Sequence, residues 1–255
     1  MAYSIVFTGK GGTGKTTLAG ITVRYLKERT GKTVLAVDAD SNSCLNEALG
    51  VKVHATIGGL REESLAAIRS SGPRPGGMTT EQLFDYQVQQ SIIESPGFDL
   101  IVMGRPEGPG CYCAANNIIR KYTDKLSESY PYVVIDNEAG MEHLSRRNST
   151  NVNLMFIVSD ATAKGIKTAR RINDLARELD LKVDRCVLII NRAEGEAAEA
   201  LKAAAEAEGL VVDGIIPNDQ AIFTIDLNGR PVFDIPSDAP SLKVMYGILD
   251  GQGVA

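Results

Sequence analysis

The chain has 255 residues, with 27 Lys and Arg against 32 Asp and Glu, a net charge of -5, and 44% hydrophobic residues. That balance excludes disordered and fibrous classes and any chain-wide affinity for nucleic acid or anionic lipid. Four Cys, at 44, 111, 113 and 186, make no secreted disulfide scaffold, and two His exclude a three-histidine zinc centre within one chain.

In chain order, Met1–Phe7 lacks the positive n-region of a signal peptide, and no run approaches the ~18 apolar residues of a membrane span. The expectation is a soluble cytoplasmic protein with reduced thiols and neither nucleic acid nor membrane among its partners. Short β-branched runs predict strands over 4–8, 33–38, 99–103, 132–136, 154–159, 186–191 and 211–217. They are continuous rather than alternating, as strands buried on both faces are. Helical patterns fall between them, over 16–28, 60–70, 80–93, 114–129, 162–179 and 196–208. This alternation predicts an α/β fold: a largely parallel sheet of about seven or eight strands with helices on both faces. Residues 72–77 read as a plain surface loop, whereas the Gly/Pro stretch 104–110 runs directly into Cys111. No linker interrupts the chain, so residues 1–255 are expected to form a single domain.

Gly9-Lys10-Gly11-Gly12-Thr13-Gly14-Lys15-Thr16 fits the P-loop pattern G-x-x-x-x-G-K-[ST], between a predicted strand and a predicted helix. The glycines let backbone N–H groups turn inward as an anion nest at the helix N-terminus. Gly11, Gly12, Thr13, Gly14, Lys15, Thr16 and Thr17 are the candidate nucleotide-binding residues, with Lys15 on the β and γ phosphates and the Thr16 hydroxyl on Mg²⁺. Carboxylates at neighbouring strand ends complete such sites. Asp136 fits the Walker-B position, bonding a Mg²⁺-bound water, and Asp38 joins it and Thr16 as a candidate for holding Mg²⁺; Asp38 and Asp40 straddle Ala39, so only one of them readily faces the γ-phosphate. A guanine-specific enzyme would show Asn-Lys-x-Asp; here Asn191-Arg192-Ala193-Glu194 stands there. ATP is therefore the expected nucleotide, with Asn191 at the adenine edge.

The extra lysine in Lys10-Gly-Gly-x-Gly-Lys-Thr16 resembles the deviant Walker A of the nitrogenase iron protein and of cell-division and plasmid-partition ATPases. The resemblance extends to Asp38-Ala-Asp40 as switch I, Asp136-Asn-Glu-Ala-Gly140 as switch II, Asn191 and Pro217. It implies a nucleotide-sandwich homodimer in which Lys10 reaches the partner's phosphates and Asp40 positions the attacking water. A cation supplied in trans would act much as an arginine finger does and tie hydrolysis to assembly.

Cys111-Tyr112-Cys113 supplies two thiolates, half of a closed four-ligand site. Cys186 falls in an apolar strand and Cys44 opens the helix after Asp40. Two C-x-C pairs across a two-fold axis would supply four thiolates, suited to Zn²⁺, an iron–sulfur cluster or planar Ni²⁺. The nitrogenase iron protein has a second cluster cysteine near switch II, but residues 136–143 contain none. The combination of Lys10–Thr16, Asp38-Ala-Asp40 with Asn42-Ser-Cys44-Leu45, Cys111-Tyr-Cys113 and Asp136–His143 resembles the carbon monoxide dehydrogenase maturation ATPases (the CooC type) and their relatives serving acetyl-CoA synthase. Ser41 stands where those relatives often have proline. The resemblance implies an ATP- and Mg²⁺-dependent homodimeric ATPase that helps insert nickel into one of those enzymes, with Cys111 and Cys113 binding Zn²⁺ or Ni²⁺ at the dimer interface. Glu142 and His143 are either extra metal ligands or, more readily, hydrogen-bonding supports of switch II. The competing readings are a cell-division or partition-type positioning ATPase and an iron–sulfur redox ATPase.

Overall fold

A computed structural model of the chain describes residues 2–69, 79–105, 111–139, 151–179 and 181–255. One eight-stranded sheet organises them. Its strands are β1 (Tyr3–Gly9), β2 (Val34–Ala39), β3 (Ile93–Ser95), β4 (Phe98–Val102), β5 (Tyr132–Asn137), β6 (Asn151–Ser159), β7 (Lys182–Asn191) and β8 (Gly214–Ile216), in the spatial order β3-β4-β2-β5-β1-β6-β7-β8. All pairings are parallel except β3 with β4. The carboxyl ends of seven strands therefore share one edge, and ligands bind there in open α/β sheets.

Helices α1 (Lys15–Thr30), α2 (Leu45–Leu49), α8 (Gln220–Leu227) and α9 (Pro240–Gly251) cover one face of the sheet. Helices α3 (Ile57–Arg69), α4 (Thr80–Gln90), α5 (Cys111–Ser127), α6 (Ala163–Glu178) and α7 (Gly195–Ala207) cover the other. The strand period of two divides the core between these faces. Ile5 and Phe7 of β1 point to the α1 side and Val6 to the α6 side, and Val34 and Ala36 of β2 likewise oppose Leu35 and Val37. Burial on both faces explains why these strands are apolar throughout. Arg24 of α1 is buried and donates to the carbonyls of Val232 and Ile235, at 3.0 and 2.6 Å, tying the chain beyond α8 to the helix that follows the P-loop.

Three sequence expectations need adjusting. Helix 80–93 stops at Gln90, and residues 93–95 form β3, joined to β4 by Pro96-Gly97. Gly97 has φ 87°, which suits a type II turn with proline before it, and the apolar Ile92 and Ile93 masked this break in the pattern. The helix expected over 114–129 begins at Cys111, so the C-x-C pair occupies its first turn instead of preceding it. Helices α8 and α9 went unread; Asp219 caps the first and Pro240 is the first residue of the second. Among the described residues, no helix is long and apolar enough to cross a membrane.

Candidate functional site

The segment after β1 builds the site. Lys10 through Gly14 wrap from the strand end to the N-terminus of α1, where free N–H groups and the helix dipole favour an anion. Gly14 is closely constrained. Its φ is 91°, and a Cβ there would sit 2.4 Å from Asn191 Nδ2. That approach exists because Asn191, at the end of β7, donates Nδ2 to the carbonyl of Thr13 at 2.8 Å. The amide that the sequence placed at the adenine edge thus also braces the P-loop from two strands away.

Lys15 is buried and donates Nζ to the Lys10 carbonyl at 3.3 Å. Burial pushes its pKa down, and the nearby Asp136 and Asp40 push it back up. The Thr16 hydroxyl donates to Asp136 Oδ2 at 2.5 Å. Asp136 Oδ1 is buried with no hydrogen-bond partner, the one such side-chain atom among the described residues. Burial raises the Asp136 carboxyl to about 6, against the lowering effects of Thr16 and Lys15.

Asp38 lies directly beside Asp136 in the β2–β5 register. It is fully buried; Oδ1 accepts from Asp40 N at 3.1 Å and Oδ2 from Leu45 N at 3.0 Å. Burial first, and the charge of Asp136 second, raise its carboxyl to about 7. Both oxygens of Asp38 are thus engaged in shaping the turn that leads into α2. Asp40 is half-buried on that turn and accepts from Asn42 N at 2.8 Å. Ser43 completes the turn at φ 51°, and Cys44 follows as the exposed N-cap of α2.

Lys10 is half-exposed and pairs with Asp160 at 3.3 Å. Asp160 follows β6, the strand beside β1, and also accepts the Thr162 hydroxyl at 2.5 Å. Sequence reading missed this partner, because the two residues lie 150 positions apart and no local motif joins them.

A recess of about 310 Å³ opens beside the P-loop, lined by residues that include Thr17, Asn191, Arg192, Pro217, Asp219 and Phe223. It brings the predicted Thr17, Asn191 and Pro217 together. Asp219 and Ser241 hold its floor. Asp219 accepts from Ala221 N and Ser241 N, each at 2.9 Å, and Ser241 Oγ donates to the Pro217 carbonyl at 3.2 Å. The Asp219 that begins α8 was the available sequence signal for this clamp.

The C-x-C pair begins α5, which follows β4 and so starts at the same sheet edge as the P-loop. The Cys111 and Cys113 side chains lie outside the described set, and so do Gly140, Glu142 and His143. Among the described residues, no cluster of three or more His, Cys, Asp or Glu is placed to hold a metal ion.

A glycine-lined anion nest, a buried lysine and a threonine–aspartate pair at the end of parallel strands together constitute a P-loop nucleotide site. The family described as the CobQ/CobB/MinD/ParA nucleotide binding domain matches residues 4–232. The chain belongs to this family. It is a P-loop ATPase of the CobQ/CobB/MinD/ParA group. An uncharacterized ATP-binding protein of Methanocaldococcus jannaschii is 40% identical to it over 96% of each chain. The carbon monoxide dehydrogenase accessory protein CooC of Rhodospirillum rubrum is 30% identical over 91% of this chain and 89% of its own. Among solved structures, a ParA family ATPase from Chlorobium tepidum superposes with a TM-score of 0.72 at 18% identity, covering 100% of both chains. The cell-division ATPase MinD of Pyrococcus furiosus gives 0.72 at 19%, also over 100% of both. These two likenesses establish the fold: an eight-stranded, mostly parallel sheet between helices, shared with the ParA and MinD members of the family.

Proposed function

We propose that the chain is an ATP-dependent metallochaperone: a homodimeric ATPase that helps load nickel into carbon monoxide dehydrogenase or acetyl-CoA synthase. The observation that carries this reading is the conjunction of a CooC relative across nine-tenths of the chain with a C-x-C pair at the start of α5. That pair lies at the sheet edge that also bears the P-loop. The positioning-ATPase alternative rests on structures at 18–20% identity, which carry the fold and no function.

ATP fits the site as follows. Backbone N–H groups of Gly11 through Thr16 cradle the phosphates, and Lys15 neutralises the β and γ oxygens. Thr17 and the Asn191 and Pro217 recess receive the nucleoside. With its Nδ2 committed to Thr13, Asn191 keeps Oδ1 as an acceptor, matching the amino group of adenine and opposing the carbonyl of guanine. The Thr16 hydroxyl and the unpartnered Oδ1 of Asp136 fit Mg²⁺ or its bound water, with Asp38 behind them. Bound there, Mg²⁺ would supply neutralising charge to the β and γ phosphates. Asp40 orients the attacking water. Lys10 leaves Asp160 and reaches the phosphates of the partner subunit, stabilising the charge that spreads over the transferring group.

Zn²⁺ or Ni²⁺ is cargo in this scheme, held by the four thiolates of two Cys111/Cys113 pairs across the two-fold axis. ATP and metal both favour the closed dimer, so each strengthens the other's binding. The test compares wild type with Lys10→Ala, measuring ATP turnover and the dimer fraction with ATP and Ni²⁺ present. Lys10→Ala should lose both turnover and ATP-linked dimerisation. Full retention of both would sink the reading.

A further inference from the structure

Two side chains at the recess beside the P-loop are left over once the phosphate site is built. Arg192 and Phe223 both line this space of about 310 Å³. Phe223, on α8, is 57% exposed. Arg192 is exposed as well, and among the described residues its side chain makes no ion pair or hydrogen bond. Asp219 and Asp226 line the same recess, yet neither pairs with it. A lone exposed apolar side chain needs no explanation, and neither does a lone exposed arginine. Their convergence on one recess does.

Both are held by their neighbours. Arg192 stands between two buried residues, Asn191 and Ala193. Asn191 is bonded to the Thr13 carbonyl at 2.8 Å, and Ala193 donates its N–H to the Ile216 carbonyl at 3.1 Å. Arg192 itself has φ 61°, a left-handed conformation that glycine or asparagine adopts at less cost. The chain nonetheless keeps a long cationic side chain there. Phe223 donates its N–H to the Asp219 carbonyl at 3.1 Å, and the bond from Ser241 N to the Asp219 carboxylate fixes the start of that helix.

The P-loop shows which part of a nucleotide Arg192 meets. The Thr13 carbonyl and the Gly14 N–H belong to one trans peptide and point in opposite directions. The N–H side serves the anion nest. Asn191 binds the carbonyl side, and Arg192 approaches from there with it. A Cβ on Gly14 would lie 4.0 Å from Arg192 Nη2, so the guanidinium rests against the outside of the loop and not within the phosphate cradle.

We propose that Arg192 and Phe223 form the two faces of a purine clamp. The guanidinium lies flat on one face of the adenine, and the phenyl ring covers the other. A planar, weakly hydrated guanidinium suits an aromatic face better than the strongly hydrated ammonium of a lysine. The clamp supplies affinity for any purine, and Asn191 Oδ1 selects adenine within it. This inference rests on the nucleoside occupying the recess, as proposed above.

The test titrates the protein with a non-hydrolysable ATP analogue and with inorganic tripolyphosphate, each with Mg²⁺, by isothermal titration calorimetry. The ratio of the two affinities isolates what the nucleoside contributes, since a loss of folding would weaken both ligands together. Arg192→Ala and Phe223→Ala should each lower that ratio about tenfold, with tripolyphosphate binding unchanged. Arg192→Lys should not restore it. Arg192→Gly, which adopts φ 61° freely, should behave as Arg192→Ala does. The corresponding GTP analogue should weaken in parallel, leaving the preference for adenine intact. Tripolyphosphate binding that falls in Arg192→Ala and recovers in Arg192→Lys would make the residue a phosphate ligand and overturn the proposal. A ratio unchanged in either alanine variant overturns it as well. Asn191→Ala then separates the two readings. If it lowers the ratio, the recess holds the nucleoside and the clamp alone fails; if it does not, the nucleoside lies elsewhere and its placement fails too.

Discussion

Replacing Asp136 by Asn should abolish ATP turnover while making the nucleotide-free protein more stable. The carboxyl is buried in the sheet edge beside Asp38, one oxygen lacks any partner, and burial raises it from 3.8 to about 6. A rise of roughly two units corresponds to about 3 kcal/mol that ionisation takes from the folded state above that pH. A buried Asn N–H at the position of the unpartnered oxygen gives back ~1 kcal/mol of this gain. The expected net effect at pH 8 is about 2 kcal/mol, or roughly 4–8 °C in Tm for a chain of this size. The folded form holds its proton more tightly than the unfolded chain, so the penalty is nearly absent at pH 4. It grows as pH rises from about 4 to 6 and is fully present above that range. The stabilisation of Asp136→Asn should therefore fade when melts are repeated at pH 4. Loss of the Asp136 charge also lowers the raised pKa of Asp38, which acts in the same direction. Wild type with Mg²⁺ and ATP should recover stability that the variant does not, by about 2.7 kcal/mol at a hundredfold excess over Kd. A variant no more stable than wild type at pH 8, or one with the same advantage at pH 4, would refute the reasoning.

Gly14→Ala places a methyl 2.4 Å from Asn191 Nδ2 at φ 91°, so nucleotide affinity should fall at least about tenfold in a fluorescent-ATP titration while circular dichroism stays native. Asp219→Ala frees Ala221 N and Ser241 N and unpins the Pro217 loop; a loss of roughly 1–3 kcal/mol in chemical denaturation should accompany weaker ATP binding. Asp160→Ala breaks an ion pair whose lysine is half-exposed, so stability should change by less than about 1 kcal/mol. ATP-linked dimerisation should nonetheless shift, since Lys10 no longer has an intramolecular partner; analytical ultracentrifugation reads this directly.

The parts of the site that lie along one short segment were legible in the sequence. The P-loop reads from eight consecutive residues, and Asp38 and Asp136 read from the ends of β-branched runs, because in a parallel sheet the strand end and the ligand edge coincide. Contacts between distant segments were not legible. Asn191 was placed by its position after a late strand, yet its bond to the Thr13 carbonyl depends on how β7 sits relative to the P-loop. The Lys10–Asp160 pair and the Asp219–Ser241–Pro217 clamp are invisible for the same reason. Asp38 carries a further feature that its spacing did not show: the tight turn at Asp40 and Ser43 directs two backbone N–H groups onto its carboxylate. At the sheet edge, the apolar Ile92 and Ile93 continued the α4 pattern, and only Pro96-Gly97 marked the turn that makes 93–95 a strand.

The central claim is that ATP and a divalent metal act on one dimer through Cys111 and Cys113. Native mass spectrometry of wild type and Cys111→Ala/Cys113→Ala, titrated with Ni²⁺ with and without ATP, tests it most directly. One Ni²⁺ per two wild-type chains is predicted, bound more tightly with ATP and lost in the double variant, with ATP turnover retained. Nickel bound one per chain, or bound equally by the double variant, would contradict it.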